Sequence, residues 1–256
     1  MNGLGQLVPL VNDALWHGFV IFLRVSAITA MLPGFGEQSV PARIKLIVAM
    51  AFTLIVAPII STVPLPPSFG DVAFLTMTEI LSGLAIGIGI RLFLLALQTA
   101  GTIAAHATSL SQVLGGAGVD PMPAMGYVLI VGGIALAVML GLHVKAAELI
   151  ILSYDVLPIG RFTNASVLSD WGVSQVARAF TLAFTLAAPF IVLSVLYNVA
   201  LGAINKAMPQ LMVAFVGAPV ITAGGLFLLL MSAPLILSVW SHALDSFLAN
   251  PFGRPQ

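Results

Sequence analysis

Apolar runs and polar breaks divide the chain into about six hydrophobic stretches, covering residues 14–32, 46–63, 72–100, 125–152, 179–204 and 213–240. Each is long enough, or nearly so, to cross about 30 Å of hydrocarbon, which takes roughly 20 helical residues. The stretches are apolar on every side instead of alternating, so they predict helices and not the strands of a barrel. In lipid only those two architectures satisfy the backbone polar groups. The expected fold class is therefore all-α. Pro33, Gly34, Phe35 and Gly36 should end the first helix, and Pro64, Pro66 and Pro67 the second, because proline lacks the donor the next turn needs. The longest polar connection, residues 155–174, carries Arg161, Asn164 and Asp170 and is expected to be the largest loop in water.

Composition narrows the class. Of 256 residues, 60% are hydrophobic and 7% charged, and the mean hydropathy is +1.13. Soluble domains carry roughly 25% charged residues, so a soluble enzyme is excluded. Nine Lys+Arg balance nine Asp+Glu, leaving no basic face for nucleic acid. With no cysteine, disulfides, thiolate metal sites and thiol nucleophiles are absent together. The N-terminus has no cationic start, and Asp13 interrupts its apolar run, so it is expected to belong to the mature protein.

The few charges sit awkwardly. Arg24, Glu79, Arg91 and Lys206 lie inside or at the edge of apolar stretches, as do Lys145 and Glu148. A central charge costs at least about 2.5 kcal/mol on insertion scales. Singly each could snorkel, or pair as Lys145 and Glu148 could at i,i+3. Six together point to helices that face protein or water, in a chain that lives inside a larger complex. Arg43, Lys45, Arg161, Arg178 and Arg254 do not collect on alternate loops, so charge assigns no orientation. Gly83, Gly87 and Gly89, with Gly132, Gly133 and Gly141, offer close helix approaches.

Between the third and fourth stretches, residues 106–126 are too apolar for an exposed loop and too rich in Gly115, Gly116, Gly118, Pro121 and Pro123 for a helix. Irregular backbone at membrane depth must be buried in protein or line a cavity. Two readings follow: a re-entrant plug in a pore, or a short connection outside the membrane. Asp120 could simply cap the next helix. No His-Glu-x-x-His, Gly-x-Ser-x-Gly or P-loop pattern occurs, so no catalytic, cofactor or metal residues are assigned.

Four blocks in series resemble a known family, the FliR family of R-subunits of the flagellar type III export gate, with its injectisome relatives. The first block is Pro33-Gly34-Phe35, then Val40-Pro41-Ala42-Arg43 and Ala57-Pro58. The second is Ser109-Leu110-Ser111 leading to Val119-Asp120-Pro121. Gly141-Leu142-His143, Ser153-Tyr154 and Leu157-Pro158-Ile159-Gly160 form the third. The last runs from Asn198 through Leu201-Gly202-Ala203-Ile204-Asn205-Lys206-Ala207-Met208-Pro209-Gln210-Leu211 to Val216-Gly217-Ala218-Pro219. Departures are Lys206 for the usual arginine, Met212 for asparagine and Ser109 for glycine.

The resemblance implies a non-enzymatic subunit without cofactors, in one membrane domain over residues 1–256. Helices at 1–105 and 127–256 flank the central loop at 106–126. It implies bent helical hairpins, like a P-type and a Q-type subunit fused, in the bacterial inner membrane at the flagellar basal body. Implied partners are P-type and Q-type subunits, the B-type switch subunit, the A-type export protein, membrane lipid and unfolded exported proteins; nucleic acid is not among them. The loop residues Ser109, Leu110, Ser111, Gln112, Val113, Leu114, Gly115, Gly116, Gly118, Val119, Asp120 and Pro121 would plug the closed channel. Pro33, Gly34, Pro41, Arg43, Asn198, Gly202, Asn205, Lys206, Pro209 and Gln210 would serve subunit assembly. An injectisome paralogue and a small-solute transporter with broken helices are the alternatives.

Overall fold

The computed structural model describes residues 2–108, 124–161, 164–208 and 213–253. Its described residues form seven helices: α1 (Asn2–Met31), α2 (Ala42–Val56), α3 (Phe69–Thr108), α4 (Ala124–Met139), α5 (Leu142–Val156), α6 (Ala165–Ala207) and α7 (Val213–Ala249). The all-α class holds, and four of these contain segments long and apolar enough to cross a membrane: Val11–Met31, Phe69–Thr108, Ala165–Ala207 and Pro219–Ala249. Counting the broken pair α4 and α5 as one span gives five. The chain is a multi-pass membrane protein, with somewhat fewer candidate spans than apolar stretches.

The differences have local causes. The second stretch yields a helix of 15 residues, because the chain leaves the helix before Pro58 instead of continuing to Pro64. The fourth stretch is two helices, since Gly141 sits at φ 81°, a left-handed conformation that breaks the helix and that only glycine adopts cheaply. The expected long loop at 155–174 shrinks to the turn before Ala165. There Asn164 acts as a cap: its Oδ1 accepts from the Ser166 N–H at 3.1 Å, and helix continues through Asp170 and Ser174. The start of α3 is fixed in the same way, by Ser68 Oγ accepting from the Asp71 N–H at 3.2 Å and donating to the Asp71 carboxylate at 2.7 Å. Only the first predicted break is kept as drawn: α1 stops at Met31 and Gly34 turns the chain at φ 83°.

The chain forms two compact units. The first comprises residues 1–92, 138–175 and 245–256. Its core is a stripe on α1, with Val20, Ile21, Val25, Ile28 and Leu32 fully buried. Gly83 and Gly87 of α3 lie against this helix: a Cβ on Gly83 would come within 2.6 Å of the Arg24 carbonyl oxygen, and one on Gly87 within 2.9 Å of Met31 Cβ. Gly89 instead makes room for Phe247 and Trp171. Trp171 Nε1 donates to the Pro251 carbonyl at 2.9 Å, and its ring stacks on Phe252 at 5.5 Å.

The second unit comprises residues 93–137 and 176–244. Leu97, Leu129, Phe190 and Trp240 are buried in its core. Trp240 Nε1 donates to the Phe93 carbonyl at 2.8 Å, which satisfies the one polar atom of its side chain. Gly101 meets the backbone of Gly126, so α3 and α4 touch where neither has a side chain. Gly133 makes space for Leu97 and Trp240.

Candidate functional site

Four of the six charges in the apolar stretches, Arg24, Glu79, Arg91 and Lys145, have ion-pair partners, all within the first unit. Arg24 on α1 and Glu79 on α3 are both fully buried, with Arg24 Nε donating to Glu79 Oε2 at 2.8 Å. Arg24 Nη1 donates to the Ser153 carbonyl at 3.1 Å, and the guanidinium carbon lies 4.0 Å from the centroid of the Tyr154 ring. The second carboxylate oxygen of Glu79 accepts from the Gly160 N–H at 3.1 Å. One ion pair therefore ties α1, α3, α5 and the turn after α5. Taking both charges out of water is costly, and good geometry with further hydrogen bonds is what offsets that cost. Here each oxygen of Glu79 and two of the three guanidinium nitrogens have partners, and Arg24 Nη2 has none. The neighbouring Tyr154 face offers that cation further compensation.

Two further pairs are half-buried. Arg91 Nη1 donates to Glu37 Oε1 at 2.5 Å, linking α3 to the turn after α1. Lys145 pairs with Asp245 on α7 at 2.7 Å, not with Glu148 one turn along its own helix. Glu148 is exposed. Lys206, in the last turn of α6, is also exposed. Residues 153, 154 and 160, which belong to one of the recognisable blocks, gather round the buried pair. Sequence reasoning marked Arg24 and Glu79 as misplaced charges but did not join them: 55 positions separate them, and only the apolar setting of each was visible.

The expected assembly residues separate into two places. Pro33 is buried and Gly34 makes the turn after α1. Pro41 precedes α2, its carbonyl accepting from the Ile44 and Lys45 N–H groups, and Arg43 is exposed. Asn198, Gly202, Asn205 and Lys206 are exposed on the C-terminal part of α6. Val195, Leu196, Val199 and Ile204 are exposed beside them. Asn198 Nδ2 donates to the Ser194 carbonyl at 2.8 Å. Pro209 and Gln210 lie outside the described residues, as does the whole expected plug from Ser109 to Pro121. No cluster of three or more His, Asp or Glu side chains suited to a metal occurs among the described residues.

Residues 15–247 match the family described as Bacterial export proteins, family 1. The chain belongs to that family. It is 34% identical over 226 residues to the flagellar biosynthetic protein FliR of Caulobacter vibrioides, covering 87% of this chain and 90% of that protein. It is 30% identical to the FliR of Escherichia coli over 86% of this chain and 85% of the other, and 27% identical to that of Aquifex aeolicus over 88% of each. In this chain the first unit is organised round a buried Arg24–Glu79 pair.

Proposed function

We propose that this chain is the R-type subunit of the flagellar type III protein export gate. With P-type and Q-type subunits it forms a channel in the bacterial inner membrane through which unfolded flagellar proteins leave. The B-type switch subunit and the A-type export protein act on the same apparatus. The observation that carries the reading is similarity to FliR proteins along nearly the whole length of both chains. The flagellar names of these relatives favour the flagellum over an injectisome, and membership of an export family counts against a small-solute transporter.

Two physical features support it. α3 and α6 have 40 and 43 residues, a contour of roughly 60 Å or more at 1.5 Å per residue, about twice the hydrocarbon thickness. Such helices suit bent hairpins that extend beyond the bilayer plane. The exposed apolar face of α6 around Asn198 and Gly202 suits contact with sibling subunits. The loop from Ser109 to Pro121 closes the pore, its glycines letting it move and its apolar side chains excluding water and ions. The subunit performs no catalysis, and energy enters through its partners.

Deleting the gene in its own host and supplying the chain on a plasmid tests this reading. Loss of secreted flagellar proteins on deletion, their return on complementation, and recovery of P-type and Q-type subunits with an affinity-tagged chain are the expected results. Normal flagellar export without the chain would overturn the proposal.

A further inference from the structure

Beyond the export reading, the segment joining α2 to α3 is fastened in a way that one protonation would loosen. Between Ile59 and Ser68 it has no backbone–backbone hydrogen bond among the described residues, and Pro64, Pro66 and Pro67 have no N–H to give. Two adjacent side chains of α1 hold it instead. Trp16 Nε1 donates to the Pro64 carbonyl at 3.3 Å. His17 bridges the segment: Val63 N–H donates to Nδ1 at 3.3 Å, while Nε2 lies 2.8 Å from the Ala57 carbonyl oxygen. An imidazole nitrogen that accepts an N–H bears no proton, so Nδ1 is bare and Nε2 carries the hydrogen given to Ala57. The ring must be neutral to make both bonds.

We propose that His17 is a proton-sensitive latch. At higher pH the neutral ring holds Ala57 and Val63 together against α1. As pH falls and Nδ1 takes a proton, it faces the Val63 N–H donor to donor, and that bond is lost while the Ala57 contact and the Trp16–Pro64 bond persist, so the stretch between Ala57 and Pro64 loosens. The loosened part, from Ile59 to Val63, lines an open cavity of about 1120 Å³, whose other walls include Leu75, Tyr154 and Arg161. Loosening therefore changes the shape of that cavity. His17 is half-buried and lies in the first half of the Val11–Met31 segment. The charged groups on the elements around it are Asp13 one turn back on α1, Asp71 at the start of α3, and Asp155 and Arg161 across the cavity. The segment itself and the last two turns of α2 contain none.

Because the chain has no cysteine, a single Thr62→Cys substitution can carry a nitroxide on the full chain, reconstituted in lipid bilayers with whatever subunits co-purify. Electron paramagnetic resonance from pH 8 to pH 5 should then show the mobile-to-immobile ratio of the label rising about fivefold, one hydrogen bond's worth of roughly 1 kcal/mol. His17→Asn offers Val63 an amide oxygen that does not titrate, and it should flatten the profile; His17→Gln serves if that variant does not fold. A label at Val167 on α6 should not respond. A flat wild-type profile overturns the latch. So does the same rise in His17→Asn, which would assign the titration to Asp13, Asp71 or Asp155, or an equal rise at Val167, which would mean general loosening. None of these readouts depends on export, so failure here is distinguishable from failure of the export-gate reading.

Discussion

Changing Glu79 to Gln tests the claim that a buried ion pair organises the first unit. The substitution keeps the side chain's shape and an oxygen for the Gly160 N–H, and it removes the charge opposite Arg24. Two unit charges about 4 Å apart at an effective dielectric near 20 attract by about 4 kcal/mol, and breaking a buried pair on one side typically costs about 3–5 kcal/mol. Since 1 kcal/mol shifts the melting temperature of a chain this size by about 2–4 °C, the drop should be about 6–20 °C. Thermal unfolding of the purified chain in detergent, followed by the loss of its monodisperse elution peak, measures it. The decisive comparison is Arg24→Met with Glu79→Met. Removing both charges leaves the Gly160 N–H and the Ser153 carbonyl short of a partner, at about 1–3 kcal/mol each, but leaves no bare charge. The double variant should therefore lose less than the sum of Arg24→Met and Glu79→Met measured singly. A fall of under about 2 °C in the single variant, or a double-variant loss equal to the sum of the two singles, would refute the pairing argument.

Gly83→Val should separate α1 from α3, because the new Cβ would lie 2.6 Å from the Arg24 carbonyl oxygen and 2.8 Å from Ala27 Cβ. Overpacking of this kind costs about 1–3 kcal/mol, so a melting shift of several degrees is expected, whereas Gly18→Ala, with open space around the glycine, should leave the temperature within about 2 °C. If residues 113–118 belong to a pore plug, their deletion should make bilayers containing the assembled gate conduct small ions, and conductance equal to that of the undeleted gate would remove the plug assignment.

What the sequence made legible were properties each residue carries alone. Apolar length gave the helical class, Pro33 and Gly34 gave the first turn, and the series of recognisable blocks led to the family. Properties that depend on a partner far along the chain were not visible. Lys145 had an apparent partner in Glu148 at helical spacing, and the fold supplies Asp245 instead, 100 positions away. Gly141 looked like a packing glycine, yet only the positive φ it adopts reveals a helix break. Conversely, the polar residues at 164–174 suggested loop, because surface polarity does not by itself distinguish a water-facing helix from a connection. The Asn164 cap was the signal that could have separated them. The plug is one of two readings of residues 106–126 and the family resemblance favours it, while the assembly role of Pro209 and Gln210 rests on that resemblance alone.

The placement of charge between the units bears on what each is for. Of the nine Asp and Glu residues, Asp120 alone falls within the second unit's range, and of the nine Lys and Arg only Arg178 and Lys206 do. The first unit holds three ion pairs within itself, and a buried pair such as Arg24–Glu79 narrows the arrangements its helices can adopt, since any other leaves a buried charge bare. The second unit is poorer in charge. Its exposed Phe180, Phe184, Val192, Leu196, Leu226 and Phe227 can meet lipid or a sibling helix at little electrostatic cost, and close contacts such as Gly101 against Gly126 depend on shape alone. The one carboxylate in its range, Asp120, lies outside the described residues. One unit fixed by buried ion pairs and another that presents uncharged apolar side chains for packing is an arrangement that suits the proposed role as a subunit of a larger channel.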